Sequence, residues 1–367
     1  MTMEEISAQR DRRKQYGLYG PLAIFSGTAN PELAQEIACI LGKSLGKVTI
    51  RQFANENVFA KLNESVRGKD VFLIQPTCAG LRNRSHRAGV CMVEPDEITQ
   101  LQPEEFEQVP ASVNDNILEL LVLLDTLRRD SAGRLTAVVP YFAYGRTDKK
   151  DQPRVPITAR LMADVIGVAG ASRFLVLDLH AGQIQGFFDI PGDELTARHI
   201  LVDYFRGKSI TNGVVVAPDI GASRRARNFA EELDLPLAII EKRRHMDGHG
   251  TRQLNLIGNV QGCNAIIFDD EIDTGGTIAN ASEFVRQRGA LDVYACATHA
   301  LLSPPRGVEN MKAARLRELV VTNTVYISPE KRQALQPFLR VLSVADLLAE
   351  VIRRIHLGIS VGEMFNE

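Results

Sequence analysis

Short, nearly continuous apolar segments recur along this 367-residue chain, and each ends in a polar or glycine-containing turn. Such segments are typical of strands that are covered on both faces of a parallel sheet. This pattern constrains the fold most, because strands of this kind must lie between two layers of helices. The predicted strands are Pro21–Ser26, Val71–Gln75, Leu135–Val139, Phe174–Leu179, Val214–Ala217, Leu237–Ile240, Ala265–Phe268, Val293–Ala297 and Leu319–Thr322.

Segments with helical periodicity separate the strands. The first begins at Asn30-Pro31-Glu32, where a capping residue, a proline and an acid favour a helix start. The alternation predicts an α/β fold with mostly parallel sheets flanked by helices. The other predicted helices are Asn114–Arg129, Val155–Ala169, Ser223–Leu233, Asn280–Arg288 and Ser343–Ile355.

Nine strands are many for a single sheet in a chain of this length, so two similar α/β domains are expected. Pro191-Gly192 interrupts the pattern near the middle. We expect an N-terminal extension over residues 1–20, a first domain over 21–197 and a second over 198–342. The final helical segment, 343–367, is expected to pack back on the first domain.

The segment Gly80–Val113 breaks the alternation of strands and helices. It is basic at its start and acidic later, and Pro95, Pro103 and Pro110 oppose regular structure. A segment this long inside a compact domain is usually functional or disordered. It is predicted to be a mobile surface insertion, residues 80–113, within the first domain.

Composition excludes several classes of protein. A formal net charge of −2 gives no general reason to expect nucleic acid or an anionic membrane as a partner. No apolar run reaches the roughly 18 residues that span a bilayer, and the N-terminus lacks a signal-peptide core. The five cysteines are scattered without a C-x-x-C pair, which argues against a disulfide framework or a zinc site. A cytoplasmic protein is expected.

The strongest local signal is AIIFDDEIDTGGT at residues 265–277. A predicted strand ends in two acids, and a third acid and a Thr-Gly-Gly-Thr turn precede a helix expected from about Ala279. Ligands of open α/β sheets bind at the carboxyl ends of strands, and paired glycines let backbone amides approach an anion. The turn therefore fits a phosphate monoester. Acids that merely cap the helix are the alternative, but a cap requires fewer acids and threonines.

Asp269 and Asp270 would repel a phosphate, so they need another ligand. Vicinal sugar hydroxyls, bound directly or through Mg²⁺, are suitable. His180 and Asp219 also follow predicted strands and could surround a nucleotide-bound Mg²⁺. A lone histidine is more often a structural hydrogen-bonding group, and this pairing could arise by chance.

Two basic segments complete the pattern. Glu241–Arg244 precedes a glycine-containing stretch and could form a mobile arm over a polyphosphate, although runs of cations are usually solvated. Tyr141–Lys150 mixes aromatic residues with cations. Nucleotide binding requires such a mixture, but packed aromatic residues beside solvated lysines would give it as well. The chain contains no P-loop, no G-x-G-x-x-G after a strand and no nucleophile elbow.

In this order the clusters resemble the ribose-phosphate pyrophosphokinases, which make phosphoribosyl pyrophosphate. The resemblance covers residues 21–79 and 114–366 and implies two phosphoribosyltransferase-like domains, each a mostly parallel sheet flanked by helices. The segments that look like family signatures are Asn63–Gly68, Asn114–Asn116, Asp178–Ala181 with Gln183–Phe188, Lys242–Arg244 and Asp269–Thr277.

The resemblance implies transfer of the β,γ-diphosphate of Mg-ATP to the 1-hydroxyl of ribose 5-phosphate, with release of AMP. Lys242 and Arg244 match the arm that closes over the reacting phosphates. Asp269, with Asp270 nearby, is expected to contact the ribose hydroxyls. The 5-phosphate is expected on Asp273, Thr274, Gly275, Gly276 and Thr277.

His180 and Asp219 match the family's Mg²⁺ positions, and Arg146 and Thr147 match part of its ATP site. The family's active sites are completed by a neighbouring subunit, commonly in a homohexamer. The loop that does so is here Phe53, Asn55, Glu56 and Asn57. This chain departs from the family pattern Phe-x-Asp-Gly-Glu in that loop, and Thr147 replaces a common glutamine.

Two other functions fit part of the sequence. A phosphoribosyltransferase that consumes phosphoribosyl pyrophosphate would share the Asp269–Thr277 loop, but the Lys242–Arg244 arm and the second domain favour a pyrophosphokinase. A non-catalytic regulatory homologue would be expected to lose loop acids, the arm lysine or the metal histidine, and all of these are present.

Overall fold

A computed structural model describes residues 19–53, 55–85, 106–208, 210–243 and 253–365. The chain forms two compact units, one of residues up to Leu195 together with those from Ala345 onward, and one of Thr196–Val344. The predicted α/β class is confirmed, because parallel strands flanked by helices build both units. None of the described helices combines the length and apolarity that crossing a bilayer requires.

Sixteen strands are present in the described part of the chain. In order they are β1 Leu22–Ser26, β2 Val48–Gln52, β3 Val58–Leu62, β4 Asp70–Ile74, β5 Gly80–Ser85, β6 Phe106–Ala111, β7 Arg134–Val139, β8 Arg173–Leu177, β9 Gly192–Leu195, β10 Gly213–Ala217, β11 Leu237–Arg243, β12 Gln253–Ile257, β13 Asn264–Ile272, β14 Val293–Ala300, β15 Glu318–Thr322 and β16 Leu339–Leu342.

Nine α-helices alternate with these strands in the same described ranges. They are α1 Pro31–Ile40, α2 Val113–Arg129, α3 Thr158–Ala169, α4 Arg198–Lys208, α5 Ser223–Leu233, α6 Gly276–Gln287, α7 Gly307–Ala313, α8 Pro329–Ala334 and α9 Ala345–Leu357.

The first unit is built on a five-stranded parallel sheet in the order β1-β4-β7-β8-β9. All five residues of β4 are buried, as its continuous apolar sequence predicts. The start predicted for α1 is confirmed: Asn30 Oδ1 accepts the Leu33 N–H at 3.3 Å, with Pro31 in the first turn. Helix α9 returns from the end of the chain and packs against α1.

The second unit is built on a seven-stranded sheet in the order β12-β11-β10-β13-β14-β15-β16, parallel except for the β11–β12 pair. Apolar clusters cover both faces. One joins Val216 and Ile267 to α6 residues such as Val285, and the other joins Val215 and Phe268 to α5. This arrangement brings the carboxyl ends of β10 and β13 to the same edge of the sheet.

The prediction for Gly80–Val113 is wrong at both ends of that segment. Strands β5 and β6 pair antiparallel, and they extend β2 and β3 into a four-stranded sheet of the order β3-β2-β5-β6. Pro110 lies within β6, opposite Leu81. Backbone pairing across the segment therefore overcomes the weak local preference of its residues. The centre of the predicted insertion, residues 86–105, lies outside the described residues.

A buried ionic cluster joins α9 to the first sheet. The Asp70 carboxylate, fully buried, accepts Arg134 Nε at 2.8 Å and Arg134 Nη2 at 2.6 Å. His356 Nδ1 lies 2.8 Å from the second carboxylate oxygen, and Arg134 Nη2 also donates to the Ile355 carbonyl at 2.9 Å. The first residue of β4, the first residue of β7 and the last turns of α9 are thus connected through one carboxylate.

We expect Asp70→Ala to lower the free energy of unfolding by about 3–5 kcal/mol, because it leaves the Arg134 charge buried without its partner. Urea denaturation, followed by circular dichroism, measures this. Asp125→Ala is the control, since it removes an exposed carboxylate that pairs with Arg128 and Arg129 on α2. It should change the midpoint little. Equal losses in the two variants would contradict a special role for the buried cluster.

Candidate active site

Strand β13 carries the first acids of the predicted phosphosugar loop. The sequence predicts a strand that ends at Phe268, but β13 continues to Ile272, so Asp269 and Asp270 lie within it. The neighbouring strand β14 supplies the pairing, with Ile272 opposite Ala300. Asp269 and Asp270 are therefore held in place by the sheet and do not lie in a loop.

The turn after β13 is fixed by hydrogen bonds from other segments. The Ser303 N–H donates to the Asp273 carbonyl at 3.0 Å, and Asn310 Nδ2 donates to the Thr274 carbonyl at 2.7 Å. The Thr274 side chain itself is exposed. These bonds hold the backbone, and the exposed Thr274 is accessible to a ligand.

Gly275 turns the chain into helix α6. Its φ of +73° lies in the left-handed region, and a Cβ there would lie 2.7 Å from Cε of Met311. The helix begins at Gly276, three residues before the predicted start at Ala279. The first N–H groups of a helix lack intrahelical acceptors, so the turn and the helix start together favour an anion.

Two of the three acids of β13, Asp269 and Asp270, differ in their surroundings. The Asp270 N–H donates to Asp269 Oδ1 at 3.0 Å. Burial raises the pKa of Asp269 well above its usual value, and the side chain of Asp270 and the charge of Asp219 raise it further. The buried Asp270 carboxylate is ion-paired, with Arg225 Nη2 2.7 Å from its Oδ1. A ligand that brings hydroxyl donors or a cation would relieve the crowding around Asp269.

Asp219 follows β10, the parallel neighbour of β13. Its Oδ1 accepts the Ala222 N–H at 3.1 Å, which holds the carboxylate at the start of α5. It lies close enough to Asp269 for its charge to affect that residue's pKa. The structure thus brings the predicted metal acid and the predicted sugar acids together at one edge of the second sheet.

A cavity of about 490 Å³ opens beside the turn in the second unit. This volume lies within the range of small-molecule sites in proteins. Its lining includes the turn residues Thr274, Gly276 and Thr277 and the apolar residues Ile240, Leu254 and Phe284.

Lys242 lies within a strand and not after one. The sequence predicts that Lys242 follows a strand ending at Ile240, but β11 continues to Arg243. The reason is its antiparallel partner β12, in which Leu254 lies opposite Lys242. The Lys242 backbone is therefore part of the sheet, and Arg244 lies outside the described residues.

In the first unit, the predicted metal residue His180 follows β8. Asp178 has a φ of +38°, which is rare for a residue with a side chain, and its N–H donates to the Leu195 carbonyl at 2.9 Å. The Leu179 N–H donates to Glu194 Oε1 at 2.9 Å. Strained backbone held in this way is common at functional sites.

Further side-chain bonds hold the short 3₁₀ helix Gly182–Phe187 after His180. Gln185 Nε2 donates to Glu194, and Gln183 Nε2 donates to Asp148. Both acceptors are carboxylates, so the bonds are charge-assisted and stronger than neutral ones. The position of His180 is therefore set by acids on both sides of its loop.

Arg146 and Thr147 lie in the turn after β7. Thr147 donates from both its N–H and its hydroxyl to the Tyr144 carbonyl, at 2.9 and 2.8 Å. A Cβ on Gly145 would lie 3.3 Å from the Cβ of His180. The predicted ATP residues and the predicted metal histidine are thus adjacent in the first unit.

Phe53, Asn55, Glu56 and Asn57 form the hairpin turn between β2 and β3, in which Ala54 lies outside the described residues. The Phe53 N–H donates to the Asn57 carbonyl at 2.9 Å, and the Glu56 N–H donates to the Phe53 carbonyl at 2.9 Å. Asn55 Oδ1 accepts the Asn57 N–H at 3.2 Å. The Arg51 guanidinium lies 5.3 Å from the Phe53 ring centroid. The hairpin thus presents an aromatic ring beside a cation.

Throughout the described residues, no three His, Cys, Asp or Glu side chains are grouped to hold a metal ion. Mg²⁺ does not require such a cage, because it keeps several waters and commonly takes one or two carboxylates together with substrate phosphates. The carboxylates at the ends of β10 and β13 suit that mode of binding. The donor set therefore fits a Mg²⁺ ion that arrives with a nucleotide.

Sequence reasoning missed the residues that hold the others in place. Arg225 contacts the predicted site residue Asp270, and Glu194, Asp148 and Gln183 hold the segments next to His180. Asp148 and Gln183 lie in the segments Tyr141–Lys150 and Gln183–Phe188 noted above, but their contact was not predicted, and Arg225 and Glu194 lie in no predicted motif. The partners of Arg225, Glu194, Asp148 and Gln183 are 45, 15, 35 and 35 residues away along the chain. Only the charge of Arg225, two residues into a helix that follows Asp219, gave a weak signal.

Comparison with known proteins identifies the relatives of this fold and site. A profile described as the N-terminal domain of ribose phosphate pyrophosphokinase matches residues 22–170, and one described as the phosphoribosyl synthetase-associated domain matches residues 245–366. Ribose-phosphate pyrophosphokinase 1 of Spinacia oleracea is 46% identical over 94% of this chain and 92% of its own length. The chain belongs to the ribose-phosphate pyrophosphokinase family.

Further ribose-phosphate pyrophosphokinases support this assignment. That of Nostoc sp. is 45% identical over 94% of this chain and 93% of its own length. The crystal structure of phosphoribosylpyrophosphate synthetase from Mycobacterium smegmatis covers 91% of this chain and 98% of its own, with 39% identity and a TM-score of 0.76. The family, the α/β fold and the assignment as an enzyme, all predicted from the sequence, are confirmed.

The raised pKa of Asp269 predicts a pH-dependent stability in this pyrophosphokinase. A folded-state pKa above the unfolded value means that the folded protein binds the proton more tightly, so stability is lost as pH rises between the two values. We expect Asp269→Asn to raise the melting temperature at pH 7.5 and to raise it less at pH 4.

Thermal denaturation without Mg²⁺ or substrates, at a series of pH values, measures this effect. The control is Asp203→Asn, which removes an exposed acid of the same unit and should change the melting temperature little. A gain from Asp269→Asn that is the same at every pH would contradict the prediction.

Proposed function

We propose that the protein transfers the β,γ-diphosphate of Mg-ATP to the 1-hydroxyl of ribose 5-phosphate, giving phosphoribosyl pyrophosphate and AMP. The segment Asp269–Thr277 carries this proposal. Its acids lie in a strand end, a left-handed glycine follows, and a helix begins at the next residue. Membership of the pyrophosphokinase family supports the same reaction.

The ribose 5-phosphate site is proposed at this segment. The 5-phosphate binds Asp273, Thr274, Gly275, Gly276 and Thr277 through backbone N–H groups and the two threonine hydroxyls. The helix start adds a favourable potential for the anion.

The ribose hydroxyls are proposed to donate to Asp269, with Asp270 beside it. Without ligand, burial raises the pKa of Asp269, and the neighbouring Asp270 and Asp219 raise it further. Hydroxyl donors favour its ionised form, so sugar binding and ionisation support each other.

The proposed reaction is a displacement at the β-phosphorus. The 1-hydroxyl oxygen forms a bond to that phosphorus, the bond from it to the oxygen shared with the α-phosphorus breaks, and AMP leaves with the electron pair. The hydroxyl proton is released. Such transfers depend on positioning and charge neutralisation more than on covalent participation by the protein.

Lys242 and Arg244 are proposed as the catalytic cations, because Lys242 lies near the end of β11, and Ile240 of that strand lines the cavity beside the phosphosugar turn. They neutralise the charge that develops on the transferred diphosphate and on AMP. His180 and Asp219 are the proposed contacts of Mg²⁺, which when bound neutralises phosphate charge.

The nucleotide side of the site is proposed at Arg146 and Thr147 and at the hairpin Phe53–Asn57 of a neighbouring subunit. Phe53 stacks on the base, while Asn55, Glu56 and Asn57 contact its polar edge. We propose a homohexamer with shared active sites, in the cytoplasm. Neither nucleic acid nor a membrane is a proposed partner, since the net charge of −2 favours neither.

The reaction is tested by measuring AMP formed from ATP, with ³¹P NMR to identify the second product. AMP should form only when both ribose 5-phosphate and Mg²⁺ are present. Consumption of phosphoribosyl pyrophosphate with a nucleobase, without AMP formation from ATP, would indicate a phosphoribosyltransferase instead. No turnover with either substrate pair would indicate a non-catalytic homologue.

Lys242→Ala should lower turnover by on the order of 10²–10³, the usual effect of removing one electrostatic donor from a transition state. Binding of ribose 5-phosphate, measured by calorimetry, should change little, because its contacts lie on β13 and α6. Lys43→Ala, an exposed lysine of the first unit, is the control and should leave turnover unchanged. Unchanged turnover in Lys242→Ala would refute the role of the arm.

A further inference from the structure

Helix α5 contacts the acidic end of β13 through the cation Arg225. Arg225 Nη2 lies 2.7 Å from Asp270 Oδ1, where the carboxylate is buried and the Arg225 side chain is partly exposed. A buried carboxylate without a counter-charge would be protonated or would turn away. The ion pair therefore holds the Asp270 carboxylate in place.

Packing between α5 and β13 holds Arg225 and Asp270 next to each other. The Phe229 and Phe268 rings stack with centroids 4.5 Å apart and an interplanar angle of 20°. Phe229 is four residues after Arg225 on α5, and Phe268 is two residues before Asp270 on β13. Residues at these spacings share one face of a helix and of a strand. The stack and the ion pair thus belong to one helix–strand interface.

The same helix start also fixes Asp219, whose Oδ1 accepts the Ala222 N–H at 3.1 Å. Asp219, Asp269 and Asp270 therefore converge at the ends of two neighbouring strands, and their charges oppose one another. Arg225, in the first turn of α5, places a cation directly on one member of this group, Asp270. Its charge offsets repulsion that would otherwise push the carboxylates apart.

We propose that Arg225 is a positioning residue for ribose 5-phosphate: it fixes Asp270 and, through Asp270, the Asp269 carboxylate that accepts the ribose hydroxyls. Arg225 acts on the acids and does not touch the sugar. The proposal rests on the proposed function, because it assigns the sugar hydroxyls to the end of β13. It predicts a loss of sugar affinity that exceeds any loss of catalytic rate.

The test compares Arg225→Gln, Arg225→Lys and wild type by calorimetric titration of the whole protein with ribose 5-phosphate and Mg²⁺. Loss of a charged hydrogen bond should raise the Kd of Arg225→Gln about 10- to 100-fold. Arg225→Lys keeps the charge and should recover affinity to within about threefold of wild type, less than the 1.4 kcal/mol that a tenfold change represents. In steady-state assays the KM for ribose 5-phosphate should rise with Kd, while kcat should change much less.

Two control variants separate positioning from stability. Phe229→Leu loosens the same interface without changing charge, and it should lower the melting temperature while leaving Kd within about twofold of wild type. Arg227→Gln removes an exposed cation from the same helix and should leave both unchanged. If Phe229→Leu raises Kd as much as Arg225→Gln, or if Arg225→Lys fails to recover affinity, the proposal is overturned.

The outcomes also distinguish this proposal from the proposed function. If wild type binds ribose 5-phosphate but forms no AMP from ATP, the proposed function fails while the comparison of Kd values still tests Arg225. If wild type forms AMP and Arg225→Gln binds the sugar as tightly as wild type does, only the role of Arg225 fails.

Discussion

Mutual repulsion of carboxylates at the end of β13 is the constraint on which the candidate site depends. Asp219, Asp269 and Asp270 converge there, and burial together with neighbouring charge raises the pKa of Asp269. A sheet can hold such groups because its backbone bonds do not depend on the side chains. The repulsion between the carboxylates stays local, and a ligand with hydroxyl donors or a cation relieves it. Under the proposed function, the site is thus prepared for a sugar and a metal at a cost in stability.

The turn at Gly275, a few residues later, has the opposite electrostatic requirement: it must attract a negative charge. A phosphate next to three carboxylates needs compensating donors, and the left-handed Gly275 directs the chain into a helix start that offers them. Asp269 and Gly275 are only six residues apart. Acids and anion-binding amides can be this close because the strand and the helix carry them on separate elements. One short segment can therefore bind both ends of a phosphosugar.

The first unit uses a related arrangement at the end of its own sheet. Its loops are held by carboxylates that accept from neighbouring backbone and amide groups, as Glu194 does from Leu179 and Gln185. At the opposite ends of its strands, Asp70 joins the first sheet to the final helix. In both arrangements, a carboxylate lies where the number and the direction of its hydrogen-bond partners are fixed. The Glu194 bonds hold the loops near His180, and the Asp70 cluster holds helix α9 against the first sheet.

The sequence by itself determined the fold class and the family, and it predicted the main site segments. Continuous apolar strands and the Asp269–Thr277 motif are local patterns, and local patterns can be recognised without neighbours. Tertiary structure decided what depends on pairing. Strand β13 continues through its acids because β14 lies beside it, and β11 includes Lys242 because β12 pairs with it. Residues 80–85 and 106–111 form strands although Pro110 opposes them. Arg225 was recognisable only in three dimensions, since its partner Asp270 is 45 residues away and on a different element.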